Sequence, residues 1–193
     1  MKKLIILSIS LCLLLGLNVK GQFLKNIFKS YYVKGVVVLK NGDTLRGDIN
    51  FSNSSSDYQF LVMRDTLNKE KLRYHPQDLS YFQIDSMFFY PKLLKRDSVF
   101  MQLLLNDSLK IYKYRYLVTT GYYTATETSF VFEKPDGTNL QVLSSKLFPF
   151  KKRVGEFFKD DPELSEKILN KTYRYDDLYV IANEYNAWLK KKK

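Results

Sequence analysis

An α+β fold is predicted by this sequence: an antiparallel β-sheet body, built as a sandwich or small barrel, followed by a bundle of about three short helices. Three observations carry the prediction. Apolar, β-prone runs recur between turn signals at intervals of about ten residues from Val33 to Leu143. Two of the turns contain Asn41-Gly42 and Asp136-Gly137, residue pairs suited to tight hairpins. After Ser145 the apolar spacing changes to the i, i+3, i+4 period of helices.

The first segment stands apart from this body. Lys2 and Lys3 precede an apolar run from Leu4 to Gly16, and Gly21 supplies a small residue where a signal peptidase cuts. Residues 1–21 therefore read as a cleaved signal peptide, 22–145 as the β-rich body, and 146–193 as a helical segment packed on that body. The apolar run is shorter than the ~20 residues of a membrane-spanning helix. The expected location is exported, either periplasmic or associated with the outer membrane or cell surface. Cys12, the only cysteine, lies inside the signal and follows Leu11, where a lipoprotein signal has a small residue. The processed chain then has no disulfide framework and no thiol chemistry, and relies on packing, to which its aromatic content of 16% contributes.

Within the body, Val36–Leu39 and Leu45–Phe51 form the first predicted hairpin around Lys40-Asn41-Gly42-Asp43-Thr44. Ser52–Asp57 reads as a polar loop. Further strands are expected at Tyr58–Met63, Leu72–Tyr74, Tyr81–Ile84, Met87–Tyr90, Val99–Leu105 and, after Asn106-Asp107, at Leu109–Val118. Thr119–Thr128 reads as a polar, tyrosine-bearing loop. Ser129–Glu133 and Asn139–Leu143 form a second hairpin around Pro135-Asp136-Gly137. In the helical segment, Phe150, Val154, Phe157 and Phe158 share one face of a helix opened near Pro149. Asp161-Pro162-Glu163 combines an N-cap, a first-position proline and a first-turn acid, with Leu164, Ile168 and Leu169 as the apolar side. A third helix runs from Asp176 to about Lys190, with Leu178, Ile181, Ala182, Tyr185 and Trp188 or Leu189 facing inward.

Loss of Lys2, Lys3 and Lys20 with the signal lowers the formal net charge from +11 to +8. Export argues against nucleic acid as the partner of this excess and leaves an anionic envelope surface, reached through Lys190, Lys191, Lys192 and Lys193, or simple solubility. The catalytic inventory is poor: the sequence holds no G-x-S-x-G, H-E-x-x-H, Walker-type or G-x-G-x-x-G motif. His75, the one histidine, precedes a proline at a strand end and reads as a turn residue. No metal or cofactor is expected. Asp160-Asp161 and Asp176-Asp177 read as helix-start acids, although carboxylates remote in sequence can converge in space to cleave glycosides.

Period 2 places Tyr112, Tyr114 and Tyr116 on one face of a strand, with Lys113 and Arg115 on the other, and Tyr122 and Tyr123 follow nearby. Such a row is either a platform on which sugar rings or a peptide stack, the neighbouring cations favouring an acidic ligand, or the inward face of the sheet, packed under the helical tail and at least half covered. Five triplets of Asp, Ser or Thr, and an apolar residue recur: Asp43-Thr44-Leu45, Asp65-Thr66-Leu67, Asp85-Ser86-Met87, Asp97-Ser98-Val99 and Asp107-Ser108-Leu109. Asx-type turn chemistry before a strand explains them. They also resemble the O-glycosylation acceptor of exported Bacteroidota proteins.

Three segments together, Gly35 to Ile49, Tyr74 to Tyr81 and Phe150 to Asn186, resemble an uncharacterised family of signal-bearing envelope proteins from Bacteroidota. The most distinctive stretches are the Asn41-Gly42-Asp43-Thr44 hairpin, Phe157-Phe158-Lys159-Asp160-Asp161-Pro162 and Tyr185-Asn186. Some members continue into an outer-membrane β-barrel, whereas this chain stops at its lysines. The resemblance implies location and architecture, and brings no catalytic residues. The expected function is that of an exported, non-enzymatic envelope protein acting as a binding or scaffolding module for an envelope protein or polysaccharide. The alternative is a carbohydrate-active hydrolase using a pair of carboxylates.

Overall fold

Ten strands follow one another: β1 (Tyr32–Leu39), β2 (Thr44–Asn50), β3 (Leu61–Asp65), β4 (Lys71–Tyr74), β5 (Leu79–Ile84), β6 (Met87–Leu94), β7 (Asp97–Leu105), β8 (Lys110–Thr120), β9 (Tyr123–Glu133) and β10 (Asn139–Leu143). Helices α1 (Phe150–Phe157), α2 (Pro162–Leu169) and α3 (Leu178–Lys191) come after them, which is the predicted α+β order. The structure, a computed structural model, describes residues 31–66, 70–94, 96–143 and 149–192, so the proposed signal with Cys12, and Lys193, lie outside the described residues. All paired neighbours are antiparallel, in the order β10-β9-β8-β7-β6-β5-β1-β2-β3-β4. This is one open sheet, where the sequence suggests a sandwich or a small barrel.

The sheet is nevertheless curled. Three strands separate β4 from β5, a span of about 19 Å in a flat sheet at about 4.8 Å per step. The link between them is only His75–Asp78, folded into a turn in which Asp78 N–H donates to the His75 carbonyl at 2.9 Å. So short a connection cannot cross a flat sheet, and the β5-β1-β2-β3-β4 section must bend until β4 returns toward β5. Gly35 and Gly47, paired across β1 and β2, permit the bend. A Cβ on Gly35 would lie 2.3 Å from Ile49 Cδ1, and one on Gly47 would lie 2.4 Å from Met63 Cε. Val37, Ile49, Leu61, Met63, Leu79, Phe82 and Ile84 are all buried within this core.

The two strong hairpins share one construction. Gly42 N–H donates to the Leu39 carbonyl and Gly137 N–H to the Lys134 carbonyl, at 3.1 and 3.0 Å, with φ of +94° and +86°. Only the glycine of Asn41-Gly42 takes a positive φ, so the turn is a type I turn closed by a left-handed glycine. Three expectations need correction. Thr119–Thr128 is not a loop: β8 runs to Thr120, β9 starts at Tyr123, and Gly121 at φ +60° makes the turn with Tyr122. Alternating Thr and other β-branched or aromatic residues favour strand even where both faces meet water. Tyr58 does not open a strand but ends a 3-10 turn, Ser55–Tyr58, that buries its ring against Phe89 and Tyr114. A second 3-10 turn, Tyr175–Asp177, takes up the two acids expected to begin the last helix, which starts at Leu178.

A second core joins the helices to β7–β10. Ile111, Phe132, Leu140 and Val142 from the sheet meet Val154, Phe158, Leu164, Ile168, Ile181 and Tyr185 from the helical segment. Two polar anchors fix the docking. Asn186, buried on α3, accepts from Leu109 N–H at 2.6 Å and donates to the Leu109 carbonyl at 3.3 Å. Asp160 accepts from Lys134 Nζ at 2.6 Å and from the Tyr185 hydroxyl, tying the β9–β10 turn to α3. Burial opposes its ionisation, but the bonds from Lys134 and Tyr185 outweigh that and hold its pKa below the usual value. Asp161 caps α2, its side chain accepting from Leu164 N–H at 3.2 Å.

Candidate functional site

The β8–β9 ribbon leaves the sheet. Pairing between β7 and β8 ends at Gln102↔Lys113, whereas β8 and β9 remain paired out to Thr120↔Tyr123. From Tyr114 onward β8 thus has a ladder partner on one side only. The 52–58 loop faces part of this stretch. Tyr58 and Tyr114 meet edge to face at 5.9 Å, and an Arg115 guanidinium N–H donates to the Asn53 carbonyl. Asn53 itself is in the left-handed region, at φ +56°.

The structure divides the five predicted tyrosines. Tyr112, Tyr114 and Tyr116 do share a face, but Tyr112 and Tyr114 are buried, at 3% and 9% exposure, and Tyr116 is half-buried and stacked on Tyr114 at 5.8 Å. The row belongs to the core and is not an open stacking platform. Burial foremost, then the Glu133 carboxylate beside it, pushes the Tyr112 phenol up. Lys92 bridges to Glu133 at 2.6 Å while lying 4.6 Å over the Tyr112 ring. Burial likewise raises Tyr58 to about 12.

Tyr122 and Tyr123 are the opposite case. Both stand in solvent at the ribbon tip, at 111% and 71% exposure. From Leu117 to Thr126 no side chain is charged and all residues except Ala125 are exposed, including Leu117 and Val118. Thr119 and Thr124 pair through their hydroxyls at 3.1 Å across the ribbon. The signal that could have found this arm was the β-branched alternation around Gly121, masked by its polarity.

The other candidates serve structure. His75 N–H donates to Asp78 Oδ2 at 2.7 Å inside the β4–β5 turn. The acid pairs are absorbed by capping and docking: Asp160 and Asp161 as above, and Asp177 as acceptor of Arg174 N–H at 2.8 Å. All five Asp-Ser/Thr triplets sit at hairpin turns or strand starts. The hydroxyls of Thr44, Thr66, Ser86 and Ser98 lie on exposed residues, and Ser108 is half-buried, its N–H bonded to Asp107 at 2.7 Å. Leu67 of the second triplet lies outside the described residues. Among the described residues no group of His, Cys, Asp or Glu converges to hold a metal, and no helix is long and apolar enough to cross a membrane.

Two clefts lie away from the ribbon. One, of about 380 Å³, opens beside the Gly35–Gly47 pair between Lys34, Arg46, Asp48 and Asp85. The other, of about 510 Å³, lies between Leu140 on β10 and Arg153 and Phe157 on α1. At the end of the lysine-rich terminus, Lys190 pairs with Asp107 at 3.0 Å and Lys192 lies 4.6 Å over the Trp188 ring. No protein-family model, curated protein or solved structure matches this chain.

Proposed function

We propose that the chain is an exported, non-enzymatic envelope protein, periplasmic or surface-associated, whose sheet presents the β8–β9 ribbon to an envelope protein or polysaccharide. The observation that carries this reading is the uncharged, tyrosine-tipped arm, in a chain of which 26% of residues are charged. Exposed tyrosines combine apolar contact area with a hydrogen-bonding hydroxyl at small entropic cost, which suits them to binding tips. Asp160, Asp161 and Asp177, three of the four acids in the pairs visible in the sequence, are engaged in caps and docking bonds. The lysine terminus adds peripheral attraction to an anionic membrane surface.

The test is crosslinking of the protein in its native envelope, wild type against a Tyr122→Ser, Tyr123→Ser double variant. One defined crosslinked product, lost in the variant while its thermal melt is unchanged, is the expected result. Recovery of wild type only as free monomer, or the same product from both proteins, would overturn the reading. Turnover of an envelope glycan by the wild type would favour the hydrolase instead.

A further inference from the structure

Lys113 and Arg115 lie on the face of β8 opposite the tyrosine row, two residues apart and therefore on the same side. Gln102 is paired with Lys113 across from β7. Three features of this group lack an internal explanation. Gln102 is 8% exposed and its Oε1 has no hydrogen-bond partner. Arg115 Nε is buried and also has none, although the same guanidinium reaches the Asn53 carbonyl. Among the described residues neither Lys113 nor Arg115 forms an ion pair, and burial together with the like charge of Arg115 weakens the hold of Lys113 on its proton.

Two partly desolvated cations, side by side without a carboxylate, and an orphaned donor are an unfavourable arrangement unless something completes it. Asp57, the acid within the 52–58 loop, is already engaged by the N–H groups of Ser52 and Ser54 at 2.9 Å each. We infer that Lys113 and Arg115 form a binding site for a phosphate group. An oxyanion accepts from Arg115 Nε and from the Lys113 ammonium, while the guanidinium stays anchored on Asn53. Two positive charges match a dianionic phosphate better than a singly charged carboxylate. Half a turn of the Gln102 amide replaces its orphaned oxygen with an N–H₂ donor facing the same anion. Lys113 and Arg115 are half-buried as residues, whereas Arg115 Nε and Gln102 Oε1 are themselves covered, so a ligand reaches these two atoms only as the side chains over them move aside. The inference concerns the root of the ribbon and does not depend on what its tip binds.

The test is titration of the whole protein with inorganic phosphate at constant ionic strength, read by backbone amide shifts in NMR, with acetate as the carboxylate arm. Saturable shifts confined to Gln102, Lys113, Arg115 and Asn53, with affinity for phosphate falling by about tenfold or more in Arg115→Gln, are expected. Lys113→Met leaves the Asn53 bond intact and gives the same weakening should Arg115→Gln fail to fold. Absence of saturable shifts at these amides, or unchanged affinity in Lys113→Met, would overturn the inference. Acetate binding as tightly as phosphate would overturn the assignment to phosphate.

Discussion

A methyl group at Gly47 would meet Met63 Cε at 2.4 Å and the Arg64 carbonyl at 2.6 Å, and the latter is backbone that cannot rotate away. Gly47→Ala is therefore expected to lose about 1–3 kcal/mol by overpacking, read as a lower denaturant midpoint with an unchanged slope. The buried phenols make a second prediction. Tyr58, raised from 10.0 to about 12 chiefly by burial, is neutral in the folded state. Tyr112 and Tyr185 are displaced upward by burial and by the carboxylates of Glu133 and Asp160. A raised folded pKa gives stability that is complete below the unfolded value of 10.0 and lost as pH climbs through the folded one. The melting temperature should thus fall above pH 10, with tyrosinate absorbance from these rings appearing together with unfolding. If that absorbance rose fully before any loss of structure, their burial would be refuted. The period-2 placement of Tyr112, Tyr114 and Tyr116 was legible in the sequence. Their burial was one of the two readings open in the sequence; what covers them was not legible, because it includes Tyr58, a residue from a distant turn that comes to lie against Tyr114.

Among the elements, α3 ends in cations that add little to folding. Lys190 is exposed in its bond to Asp107, worth at most about 1 kcal/mol, and dipole effects fade within the last turn. Truncation after Leu189 should leave the thermal midpoint nearly unchanged. Near an anionic surface each basic residue contributes about 1 kcal/mol, so the same truncation should weaken binding to anionic vesicles at low salt. Equal vesicle binding by both forms would reduce the terminus to a solubilising end. The helices were readable because Asp161-Pro162-Glu163 and the spacing of Leu178, Ile181, Ala182 and Tyr185 state a start and a buried face locally. The outer ribbon was misread for the converse reason. Its residues bury nothing, so the polar pattern of Thr119–Thr128 resembled a loop although its β-branched content favoured strand.

For the molecule as a whole, the α+β class followed from repeated turn signals and a change of period, both local properties. The strand order did not, since nothing local to β1 says that its second edge awaits β5. Nor did the curl, although Gly35 and Gly47, the residues that permit it, were in view as part of the Asn-Gly hairpin segment.

That strand order has a kinetic consequence. Every ladder in the sheet joins strands adjacent in sequence except β1–β5, so most hairpins can close as soon as their two arms exist. The two halves of the sheet become one only when Val37 meets Phe82 across the β1–β5 seam, a closure that must enclose all of β2, β3 and β4. Closing the larger loop costs more entropy before any contact rewards it, which makes the seam the slow step. Phe82→Leu should then slow refolding in stopped-flow experiments. Val142→Ala, on the edge strand β10, should act mainly by speeding unfolding, and the reverse partition would place the barrier elsewhere. A chain delivered N-terminus first would hold β1 half-paired until β5 arrived, a waiting period during which its open edge is exposed to other chains.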